Sequence, residues 1–71
     1  MGKSSVGYVI KKGRLEKNYT QEGLAQRLGV SSITVSRWER GLMYPDATHR
    51  SLLAKQLSHR RRTYQPQDFA A

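Results

Sequence analysis

Residues 20–41 read TQEGLAQRLGVSSITVSRWERG, and the fold turns on how this stretch divides. Leu24, Ala25 and Leu28 recur at helical spacing, which predicts a helix over 21–28 with one apolar stripe. Thr20 suits the N-cap position, and Glu22 lies in the first turn, where a negative charge favours the helix dipole. Gly29 fits the position just past the last turn because it accepts positive φ. Ser31 or Ser32 caps a second helix that runs to about Arg40, and Gly41 stops it. Only GVSS separates the two patterns. Both helices are too short to persist alone, so packing must hold them.

The second helix has two unlike sides. Val35, Trp38 and Glu39 fall on one; Ser32, Ile33, Ser36, Arg37 and Arg40 fall on the other. Ala25 is small enough for the two helices to cross closely. Val30 and Val35 seal the wedge between them, and Trp38 can anchor the second helix to its neighbours. Two short helices joined across a Gly-containing turn form a helix-turn-helix. The free face of its second helix has the size to enter a major groove, N-terminal end first. Arg37 can bond O6 and N7 of a guanine together, which discriminates by about 1–3 kcal/mol. Ile33 or the Thr34 methyl can pack on a thymine methyl, and the Ser32 and Ser36 hydroxyls can donate or accept. Each has a plainer reading: a phosphate contact or solvated charge for Arg37, partial packing for Ile33, a helix cap for Ser32.

Outward from the centre, a helical period runs from Val6 to Lys17. Val6, Ile10 and Gly13 share a face, Arg14 leans beside them, and Gly13 can admit a close neighbour. Asn18-Tyr19 ends this helix. Downstream, LMYPD is a turn with Asp46 as a cap. A fourth helix follows over about Ala47–Ser58, with Leu53, Ala54 and Leu57 inward. The final HRRRTYQPQDFAA has no apolar period and contains Pro66. The expected architecture is all-α: a compact bundle of four short helices, with room for a fifth, and a central helix-turn-helix. Residues 1–5 are expected to be a flexible N-terminus, 6–58 the folded helix-turn-helix domain, and 59–71 a basic tail, disordered or used in dimerisation, with Arg60–Arg62 a candidate DNA-contacting arm and Tyr64 and Phe69 candidate anchors on a partner subunit.

The 71 residues allow one small domain with a thin core. Thirteen Lys and Arg oppose five Asp and Glu, a net charge of +8 that favours nucleic acid or another anionic surface. There is no cysteine, so disulfides and thiolate metal sites are excluded. No apolar run approaches the ~18 residues of a membrane span. His49 and His59 lack metal-ligand spacing and are read as surface residues. With no phosphate loop and no nucleophile–base pair, an enzyme is not expected. No cofactor, metal or small-molecule effector is evident.

The stretch QEGLAQRLGVSSITVSRWERGLMYPD resembles the Cro and phage-repressor class of helix-turn-helix domains, the lambda-repressor-like or XRE-type family. The resemblance rests on Gln21, Leu24-Ala25, Gly29-Val30-Ser31, Val35-Ser36, Trp38-Glu39, Gly41 and Pro45, then Leu53-Ala54 and Leu57. It spans about Val6–Ser58. It implies that Ser32, Ile33, Thr34, Ser36 and Arg37 face bases. Gln21, Ser31 and Arg40 would contact phosphates, and Gln21 would also brace the second helix. Lys11, Lys12, Tyr19 and Tyr44 are further phosphate candidates outside the motif, adding affinity that salt weakens. Arg14 and Glu39 occupy positions that form an ion pair between helices one and three in relatives. A carboxylate on the inward side next to Trp38 requires such a partner. Three departures stand out. Arg50 replaces an apolar residue, Gly23 replaces the Glu of a capping box, and the segment after helix four lacks the apolar pattern of a further helix.

What the resemblance implies is a sequence-specific transcriptional regulator, a short Cro-like repressor that reads a palindromic double-stranded operator. A weak homodimer, assisted by DNA, and a cytoplasmic, nucleoid-associated setting in a bacterial cell, with a phage gene as one source, belong to the same expectation. The alternative is a protein-interaction module, or an antitoxin-type partner protein, built on the same fold.

Overall fold

The computed structural model describes residues 5–71. The expected flexible N-terminus therefore lies outside the described residues, except Ser5. Four α-helices follow in order: α1 Val6–Glu16, α2 Gln21–Leu28, α3 Ser32–Glu39 and α4 Ala47–Leu57. A single 3-10 turn, Pro66–Phe69, completes the chain. The expected all-α bundle is what forms, with the short fifth helix included.

Each α-helix begins with a short polar side chain that accepts from an otherwise orphaned backbone N–H. Ser5 Oγ accepts from Tyr8 at 3.2 Å, and Thr20 Oγ1 from Gly23 at 2.9 Å. Ser31 Oγ accepts from Thr34 at 3.1 Å, and Asp46 Oδ1 from His49 at 2.9 Å. Ser31 rather than Ser32 is thus the cap of α3. The helix ends are equally local. Asn18 takes a left-handed φ of 60° after α1, and Gly29 takes 74° after α2. Gly41 does the same after α3, at 76°.

The apolar stripes meet in one core. Ile10, Leu24, Val35, Leu53, Leu57 and Phe69 are fully enclosed, with Val6, Ala25, Leu28, Trp38, Ala54 and Tyr64 around them. The crossing of α1 over α3 depends on Gly7. A Cβ there would lie 2.6 Å from the Trp38 carbonyl oxygen and closer still to that of Glu39. Gly13 makes a looser approach: a Cβ there would lie 3.1 Å from the Leu57 side chain and 3.2 Å from the Tyr64 hydroxyl.

That last contact corrects the expectation of a disordered tail. Tyr64 and Phe69 are buried in the core, their ring centroids 5.7 Å apart. They fill a gap beside α1 and α4. The Ser58 hydroxyl pins the reversal after α4: it donates to the Ala54 carbonyl at 2.6 Å and accepts from Tyr64 N–H at 2.8 Å. The 3-10 turn is capped reciprocally between Gln65 and Asp68. Arg50, standing where relatives have an apolar residue, folds back and donates to the Pro45 carbonyl at 3.0 Å.

Candidate nucleic-acid interface

The α2–α3 pair presents one side of α3 to solvent and fixes the other. On the fixed side, Val35 and Trp38 are buried, and Trp38 lies 5.7 Å from the His49 ring on α4. Glu39 closes this side at the C-terminal end. Arg14 Nε donates to its Oε2 at 2.6 Å and Nη2 to its Oε1 at 3.2 Å, a two-point grip. The remaining Arg14 nitrogen, Nη1, donates to the Tyr19 carbonyl at 2.8 Å. Gln21 Nε2 adds a third bond to Glu39, at 3.0 Å. The structure therefore brings Arg14, Glu39 and Gln21 together, tying α1, the α1–α2 turn and α2 to the recognition-helix candidate. The Arg14 and Glu39 side chains are only 10% and 4% exposed, so this many bonds is what burying two charges demands.

On the solvent side, Ile33 is 58% exposed, and Ser32, Arg37 and Arg40 are exposed with it. Ser36 is half-buried between Ser32 and Arg40, whose Nε leans back to the Ser36 carbonyl at 3.4 Å. Arg37 has no carboxylate partner among the described residues. Thr34, half-buried like Ser36, differs from the other four base-facing candidates in that its hydroxyl lies 3.1 Å from Ser31 Oγ. Thr34 also borders a shallow concavity with Val30, Trp38, Tyr44 and His49, at the edge of the exposed face. The Ser31 hydroxyl is engaged in capping, and Ser31 and Ser32 are exposed at the α3 N-terminus.

The phosphate candidates scatter more widely. Lys11 is exposed on α1; Lys12 beside it is paired with Glu16 at 3.2 Å. Tyr19 is half-buried, with the Arg27 guanidinium 4.4 Å from its ring centre and the Lys17 ammonium at 5.7 Å. Tyr44 is 54% exposed in the turn after α3. Sequence reasoning missed its neighbours Leu42 and Met43, which are exposed too. The signal was available: Leu-Met-Tyr is an unusual choice where a turn ordinarily takes Gly, Asn, Asp or Ser.

The two histidines are less plainly superficial than expected. His49 Nδ1 lies 2.8 Å from Asp46 Oδ1, and His59 Nε2 lies 3.4 Å from Glu16 Oε1. The His49 backbone N–H and ring hold the Asp46 carboxyl below its ordinary value. His59, then Lys12, do the same for Glu16. Burial, reinforced by the Glu16 charge, pushes the Tyr64 phenol upward. Among the described residues no three His, Cys, Asp or Glu side chains converge on a metal position. No described helix is long and apolar enough to cross a membrane.

Comparison with known proteins agrees with this geometry. The sequence pattern of a helix-turn-helix family matches residues 10–64. Among solved structures, the chain is similar to the P22 c2 repressor protein, crystallised in complex with synthetic operator 9T in the presence of Tl+. The two share 30% identity and superpose with a TM-score of 0.72, over 75% of this chain and 80% of that one. No curated protein sequence matches.

Proposed function

This chain belongs to the helix-turn-helix family, and from that membership we propose that it is a DNA-binding transcriptional regulator, a Cro-like repressor that reads a palindromic operator. The observation that carries this reading is the division of α3. Its inner side is locked by Arg14, Gln21 and the core, while Ile33, Arg37 and Arg40 stand exposed on a rigid rod. A helix fixed on one side and free on the other fits the major groove, where Arg37 reads a guanine and Ile33 meets a thymine methyl. Ser32 and Ser36 border that contact, and Thr34 packs at its edge. The likeness to a repressor crystallised with its operator supports the same docking.

Phosphates flanking the groove then fall to Gln21, the Ser31 backbone and Arg40, with Lys11, Lys12, Tyr19 and Tyr44 beyond them. Gln21 keeps one amide hydrogen and its carbonyl available while it braces Glu39, so it can serve both ends. Two copies complete the operator. The Cα trace is 29 Å along its longest axis, and half-sites one helical turn apart are separated by about 34 Å. One copy therefore covers one half-site. Dimerisation is weak in solution and is assisted by DNA.

Selection of bound sequences from random duplex DNA, at low and moderate salt, tests this reading. A palindromic pattern with half-sites about one turn apart is the expected result. Enrichment with no base pattern, vanishing as salt rises, would overturn it.

A further inference from the structure

Between Ser58 and Tyr64 the chain closes a loop that carries Arg60, Arg61 and Arg62. The loop is fastened twice. Ser58 Oγ holds Tyr64 N–H at 2.8 Å, and His59 and Arg62 exchange backbone bonds, N to O at 2.8 Å and 3.1 Å. His59 adds a third fastening, because its Nδ1 accepts from Arg61 N–H at 3.3 Å. A neutral His59 then carries its proton on Nε2, the nitrogen that faces Glu16. The buried Tyr64 and Phe69 anchor the whole assembly to the core. The arginines are thus held on a fixed turn and not on a free arm.

Three adjacent like charges repel one another. Here the backbone holds them together, and no carboxylate among the described residues pairs with any of them. Glu16 shares their shallow concavity, but Lys12, His59 and Tyr64 already donate to it. Arg62 stacks on the Tyr64 ring, 4.6 Å from its centre, which orients the end of the turn. Elsewhere the partly buried arginines have oxygen partners, Arg14 in Glu39 and Arg50 in the Pro45 carbonyl. The turn is an uncompensated, preorganised cluster of guanidinium forks, and that geometry matches phosphate oxygens. A guanidinium fork can also bond a guanine edge, but phosphate oxygens recur at every step of a duplex, so a grip on them needs no particular base.

We infer that the Arg60–Arg62 turn is a second phosphate-binding element, separate from α3, that grips the backbone of duplex DNA without regard to base sequence. This rests on the reading of the protein as a duplex-DNA binder.

The test is fluorescence anisotropy with two labelled duplexes of equal length, one carrying the selected pattern and one scrambled, across a salt series. The variants are Arg60→Gln with Arg61→Gln, which keeps the Arg62 stack, and two single changes of equal charge, Arg61→Gln and Lys55→Gln. Far-ultraviolet circular dichroism checks that each is folded. The double variant should bind both duplexes more weakly by a common factor, on the order of tenfold at moderate salt. Its salt slope should fall by about 1.8, the value for two lost phosphate contacts. Arg61→Gln should exceed Lys55→Gln, and the selected base pattern should not change. If the double variant keeps the wild-type slope, or Lys55→Gln weakens binding as much as Arg61→Gln, the inference falls while the operator reading stands. If the wild type selects no pattern yet its binding still depends on the turn, the operator reading falls and this one stands.

Discussion

The two sides of α3 put one eight-residue helix to opposite uses. Inward, Val35 and Trp38 are enclosed and Glu39 accepts three bonds from Arg14 and Gln21. Outward, Ile33, Arg37 and Arg40 have little but the helix itself to hold them. Arginine appears on both sides in different roles. Arg14 is buried with every nitrogen engaged, and Arg37 is exposed without an acidic partner among the described residues. The lesson is that stability and recognition are separated across the width of one helix. Inner substitutions should change how much protein is folded, and outer ones what it binds.

The largest expected effect lies on the inner side. Glu39→Ala would leave the Arg14 charge buried with only the Tyr19 carbonyl, a loss of about 3–5 kcal/mol by denaturant unfolding. Combining Arg14→Met with Glu39→Leu should recover most of it, because well-packed apolar groups often replace a buried ion pair without penalty. A single-variant loss under about 1 kcal/mol would break the comparison, since surface pairs are worth that little. Phe69→Ala, far along the chain but in the same core, should cost about 3–5 kcal/mol in the same assay. Gly7→Ala presses a methyl onto the α3 carbonyls and should cost about 1–3 kcal/mol, read as a lower Tm. None of these should alter the base pattern selected by the fraction that remains folded.

The outer side sharpens the contrast. Arg37→Ala should shift unfolding by no more than about 0.5 kcal/mol. It should instead erase discrimination at one base pair, about 1–3 kcal/mol by competition binding. The smallest effect concerns acid. Asp46 is depressed, so its capping contribution is complete above the ordinary carboxylate value near ~4 and is lost as pH falls through the lowered one. Asp46→Asn retains a good cap but cannot titrate, so its stability should depend less on pH in that acid range. An unchanged acid limb in thermal melts would remove Asp46 as its source.

How legible was this in the sequence? The helix-turn-helix could be read because its signals are local. Thr20, Gly29 and Gly41 act within a turn of where they stand, and the stripe of Leu24, Ala25 and Leu28 repeats at the helix period. The Arg14–Glu39 proximity could be argued because an inward carboxylate has few eligible partners. The tail was not legible. Tyr64 and Phe69 are two isolated aromatics on either side of Pro66, without a repeating pattern, and each is buried through contacts with distant α1 and α4. The use of Gly7 as a crossing point depends on where α3 lies, which no local signal contains. The partners of Arg50 and of the two histidines were not legible for a related reason: Pro45, Asp46 and Glu16 are brought to them by how turns close and helices meet.

The Arg14–Glu39–Gln21 junction has a mechanical consequence. Because it fastens α3 to two other elements at once, α3 cannot tilt without moving the rest of the bundle. On the proposed reading, a stiff reader leaves accommodation to the DNA. A duplex whose groove does not match the spacing from Ile33 to Arg40 must twist or bend to meet it, and the energy of doing so depends on its stacking. Base pairs that no side chain touches would then be chosen for their compliance, with flexible pyrimidine–purine steps favoured where the duplex has to yield.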